Sequence, residues 1–128
     1  MTTLSMISDF NIEPLKRILE VNSDIRCPSV NYGQVYQSLY SDSNDTADIG
    51  VVWTSPENVI ATFSKALSFD DFDTHTCLLE VEIFADALIS YAQRFDFVLV
   101  SSWSICFNDR RYGILDWKNN FGIKNLLA

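Results

Sequence analysis

Three places along the chain combine hydroxyl, amide and aromatic side chains where an apolar stretch gives way to a polar one. The first supplies Ser29, Asn31, Tyr32 and Gly33, the second Thr54, Ser55 and Asn58, and the third Ser101, Ser102 and Trp103. A serine hydroxyl attacks an ester only when a base takes its proton, whereas hydroxyls and amides at a chain turn bind ligands or cap helices without one. Ser29 is the candidate nucleophile. Asn31, Tyr32, Thr54, Ser55, Asn58, Ser101, Ser102 and Trp103 are the candidate binding residues, and each hydroxyl among them has N-capping as its bland alternative.

A different chemistry is suggested by Asp71-Phe72-Asp73. Paired aspartates of this spacing serve phosphoryl transfer in the haloacid dehalogenases, the first as nucleophile and the second as acid/base, when an apolar strand delivers them. Here Leu67-Ser68-Phe69-Asp70 precedes them as the tail of a helix, and His75 stands where a threonine is needed. The acidic cluster reads instead as the cap of a helix starting near Thr76. His75, the one histidine, reads as an exposed turn residue. Cys27, Cys77 and Cys106 are too widely spaced for a zinc site or a disulfide framework and read as reduced, inert thiols. None of the sequences Gly-x-Gly-x-x-Gly, Gly-x-x-x-x-Gly-Lys-Ser/Thr or Gly-x-Ser-x-Gly occurs. No metal and no cofactor are expected.

The elements that must position these residues alternate in type. Ile12 to Val21 reads as a helix with the stripe Ile12, Leu15, Ile18 and Leu19, opened by Pro14 and capped by Asp9 or Asn11. Ile25 to Val30, interrupted by Pro28, reads as an edge strand, and Gln34 to Tyr40 as a short helix. Ile49 to Thr54 and Phe97 to Val100 read as strands apolar on both faces, which a central parallel strand requires. Between them lie a helix from Ser55 to about Leu67, capped by Ser55 with Pro56 in its first position, and a long helix from Thr76 to Phe95. Strands alternating with helices imply an α/β protein with a small, mainly parallel sheet in three layers, α/β/α, joined by right-handed crossovers. Ligands of such sheets bind beyond the carboxyl ends of the strands, where the three polar clusters fall.

The composition agrees with one globular domain over residues 1–128. Of its 128 residues 48% are hydrophobic, enough for a core, and the net charge is −8. A nucleic-acid partner needs the opposite sign, and an anionic membrane surface repels this one. No apolar run reaches the roughly 20 residues of a membrane span. Met1 to Phe10 has neither the basic nor the apolar region of a signal peptide, so a cytoplasmic protein is expected.

Several stretches together resemble a known family. Ser8-Asp9-Phe10-Asn11-Ile12-Glu13-Pro14-Leu15, Tyr32-Gly33-Gln34-Val35-Tyr36-Gln37-Ser38-Leu39, Asp48-Ile49-Gly50-Val51-Val52-Trp53-Thr54-Ser55-Pro56-Glu57 and Leu115-Asp116-Trp117-Lys118 are similar, in that order, to the N-terminal domain of FkbH-like proteins. The resemblance implies an SGNH-hydrolase-like, flavodoxin-like fold. It further implies a downstream haloacid-dehalogenase-type domain that loads a glyceryl unit onto an acyl carrier protein in polyketide-type biosynthesis. On this reading the chain is a non-catalytic substrate- or carrier-binding module, with that domain or the carrier protein as partner. The SGNH nucleophile lies in a Gly-Asp-Ser motif after the first strand, where Cys27-Pro28-Ser29-Val30-Asn31 is read here, and nothing after His75 supplies a histidine. The alternatives are an SGNH-type esterase with a degenerate site and a small standalone protein-interaction domain. Asn119 to Ala128 reads as the first turns of a helix that stops, which leaves open a natural end or a domain truncated there. Phe121, Leu126 and Leu127 then need cover, and a homodimer through Asn119–Ala128 is expected to give it.

Overall fold

The first strand begins at the second residue of the chain. In the computed structural model, which describes residues 1–41 and 47–103, Thr2–Ser8 is strand β1, an element the sequence reading passed over. It is followed by helix α1 (Glu13–Asn22), β2 (Ile25–Tyr32), α2 (Val35–Leu39), β3 (Ile49–Trp53), α3 (Pro56–Val59), α4 (Ala61–Leu67), α5 (Thr74–Ala92) and β4 (Phe97–Val100). The four strands form one sheet in the order β2-β1-β3-β4. Every pairing is parallel: Ser5 lies opposite both Ser29 and Gly50, and Val51 opposite Leu99. The expected parallel α/β architecture is thus present; among the described residues β2, with Pro28, stands at an edge and β1 lies between β2 and β3.

The described residues form two compact units. The first comprises Met1–Thr54 and Phe84–Ser101, the second Ser55–Ile83 with Ser102 and Trp103. In the first unit, strand alternation sends Leu4 and Met6 to one face of the sheet, where they form a core with Cys27 and Ile12. Leu15 and Leu19 of α1 pack against that core together with Ile25, Val30, Ile49 and Val51. Pro14 fits the first turn of α1, and the Asn11 side chain accepts the Glu13 N–H at 3.1 Å. Ile18, predicted to share the buried stripe, points to solvent instead. One helix side contacting one sheet face leaves room for the Ile12, Leu15, Leu19 row only.

The opposite face carries Ser5 and Gly50. The Tyr91 hydroxyl of α5 donates to Ser5 Oγ, and the rings of Tyr91 and Phe95 lie so close over Gly50 that an added Cβ would stand 2.9 Å from Phe95 Cδ2. Tyr36 of α2 meets Phe84 of α5 edge-on, with ring centroids 5.7 Å apart. Helices on both faces make three layers within this unit alone.

In the second unit the predicted single helix from Ser55 to Leu67 is two. Pro56 opens α3 after an extended Ser55, but Ile60 leaves helical geometry at φ −115° and ψ 100°, and α4 starts afresh at Ala61. Ile60 and Phe63 are both buried, and the Thr62 N–H is met by Glu80 Oε2 at 2.9 Å. Thr62 sits in the first turn of α4, where a backbone N–H has no helical partner, and the carboxylate of α5 supplies one. The acidic stretch before α5 is a cap, as expected. Asp73 accepts the Thr76 N–H and hydroxyl at 3.2 and 2.8 Å and the His75 N–H at 3.3 Å.

One expectation about the sheet fails. Strand β4 was predicted to be apolar and buried on both faces, yet Phe97 and Leu99 are 62% and 59% exposed, and Val100 is exposed as well. Its apolar residues came from the right pattern, but among the described residues β4 pairs with β3 alone and stands at the sheet edge. Cys106, the Leu115–Lys118 stretch and the Asn119–Ala128 segment lie outside the described residues. Among the described residues no helix is long and apolar enough to cross a membrane.

Candidate functional site

In the order β2-β1-β3-β4 the chain leaves β1 toward β2 on one side and β3 toward β4 on the other. The crevice between the carboxyl ends of β1 and β3 is therefore the topological switch point, where open α/β sheets bind ligands. The residues there are Ser8 at the end of β1, Asp9 and Phe10 just after it, and Trp53 and Thr54 at the end of β3. The predicted cluster at Thr54 is among them. The cluster at β1 was missed because the strand leading to it was missed.

The backbone ties these ends together. The Asp9 N–H donates to Trp53 O at 3.4 Å, and the Gly33 N–H to Ser8 O at 3.0 Å, with Gly33 at φ +83° as a chain reversal beyond β2 demands. Ser8 is fully buried, and its hydroxyl accepts the Phe10 N–H at 3.0 Å. Thr54 and Ser101 are joined reciprocally. The Thr54 N–H donates to Ser101 Oγ and the Ser101 hydroxyl to Thr54 O, both at 3.1 Å, while the Ser101 N–H reaches Val52 O at 3.1 Å. These bonds bring two of the predicted binding residues, Thr54 and Ser101, into direct contact.

Outside this hydrogen-bonded floor the rim is aromatic and apolar. Phe10 and Trp53 are 44% and 47% exposed and meet edge-to-face, with centroids 5.7 Å apart and ring planes at 89°. From Trp53 an open groove of about 320 Å³ runs along the ends of β3 and β4, lined by Val51, Val52, Trp53, Leu99, Val100 and Ser101. Such a surface suits an apolar or flat ligand group better than a charged one.

The remaining predicted residues are dispersed. Ser29 sits inside β2, not at its end, opposite Ser5 and within 3.5 Å of Asn31 Nδ2. The segment Cys27–Asn31 was expected to follow the first strand. It lies within the second strand, so the end of the first strand belongs to Ser8, with Asp9 and Phe10 following it. Asn31 and Tyr32 close β2 and are exposed. Ser55, Asn58, Ser102 and Trp103 belong to the second unit. There Trp103 lines a small apolar cavity with Pro56, Ile60, Phe63, Cys77, Leu78 and Val81. Also in that unit is His75, exposed in the first turn of α5.

Two thiols are described, Cys27 and Cys77, both free and buried. Burial pushes each thiol pKa up, helped by Glu20 beside Cys27 and Glu80 beside Cys77. A raised pKa leaves little thiolate, so neither is an activated nucleophile. Among the described residues no group of three or more His, Cys, Asp and Glu side chains is arranged to hold a metal ion. Compared with known proteins, the chain matches no family model, no curated protein and no solved structure.

Proposed function

We propose that the chain is a non-catalytic binding module, the N-terminal SGNH-like domain of an FkbH-like biosynthetic enzyme, which holds the substrate or carrier-borne group for a downstream haloacid-dehalogenase-type domain. One observation carries the reading. At the switch point and the neighbouring end of β4 the Ser8 and Ser101 hydroxyls are engaged in local hydrogen bonds, and what faces outward is the Phe10–Trp53 pair and the apolar groove beside it. A site for attack needs a hydroxyl held by a base, whereas this arrangement offers contact area. The pantetheine arm of an acyl carrier protein, with its apolar and amide portions, has the chemistry to lie along such a groove.

The test is a titration of the isotope-labelled chain with holo-acyl carrier protein, followed by backbone and indole NMR signals. The expected result is a set of shifts confined to Phe10, Trp53, Leu99 and their neighbours, abolished in a Trp53→Ala variant that keeps the parent's circular dichroism. Signals at the rim that stay fixed at saturating carrier protein refute the proposal. So does hydrolysis of p-nitrophenyl butyrate that disappears on Ser8→Ala or Ser29→Ala substitution.

A further inference from the structure

We draw no further inference here: the strongest candidate, the exposed apolar side of α5 at Leu78, Leu79 and Ile83 in the second unit, carries nothing because nothing in the structure shows what covers it.

Discussion

Tyr91 and Ser5 meet inside the first unit, the phenol donating to Ser5 Oγ at 3.2 Å across 86 residues of sequence, with 2% and 4% of the two residues exposed. A serine in the middle of a central strand is a polar group in the core, and its partner must come from the layer above. Tyr91→Phe keeps the ring and removes the hydroxyl, leaving Ser5 without this bond. The expected loss is about 1–3 kcal/mol in urea unfolding. Adding Ser5→Ala removes the stranded partner, so the double variant should lose less than the two single losses summed. Strict additivity would show that the two groups do not interact.

Gly50 tests how closely α5 approaches the sheet. A Cβ there meets Phe95 Cδ2 at 2.9 Å and Tyr91 Cε1 at 3.0 Å, and the Tyr91 ring is buried. Gly50→Val should destabilise by about 1–3 kcal/mol through overpacking. Phe95→Ala in the same chain should recover part of that loss. A Gly50→Val protein as stable as its parent would mean the rings stand further off.

Acid should unfold the protein partly through Asp48. Its carboxylate accepts the Thr3 N–H at 2.9 Å and the Thr3 hydroxyl at 3.0 Å, and these bonds hold its pKa below the ordinary 3.8. Asp73 is held down in the same direction by Thr76 and His75. A carboxyl with a depressed folded-state pKa contributes stability that is complete above the unfolded value. That contribution is lost as the pH falls through the folded value. Stability measured from pH 6 downward should thus decline below about pH 4, and less steeply in Asp48→Asn and Asp73→Asn. Equal acid slopes in parent and variants would remove these two groups from the account.

Cys27 and Cys77 should resist alkylation while the protein is folded. Both thiols are buried and their pKa values are raised, so thiolate and access are both scarce. Mass spectrometry after iodoacetamide at pH 7.5 should find both unmodified in buffer and both labelled in urea. Rapid native labelling of Cys27 would show that the cover of α1 over the sheet opens readily.

Much of the fold was legible because it follows from strong local patterns. Ile49–Trp53 and Phe97–Val100 are runs of apolar residues bounded by polar turns, and Pro56 and Asp73 mark helix starts by chemistry that needs no tertiary partner. Strand β1 was hidden because Thr3 and Ser5 look solvent-facing, and Asp48 and Tyr91, which bond them, are distant in sequence. The break at Ile60 was hidden for a similar reason, since Glu80 satisfies the Thr62 N–H. As for the site, hydroxyls at strand ends could be read from turn chemistry, and Thr54 with Ser101 came together as a result. Phe10 beside Trp53 could not be found without β1, because the register of that strand is what sets their spacing.

The placement of β1 bears on the order in which the molecule can be built. This segment precedes in the chain both of its hydrogen-bonding partners, Ile25–Tyr32 on one side and Ile49–Trp53 on the other. Until both have been synthesised its two ladders are incomplete, and β4, the last strand among the described residues, joins the sheet through β3. The sheet is thus built around β1, and deleting Thr2–Ser8 would remove an inner strand rather than a fringe.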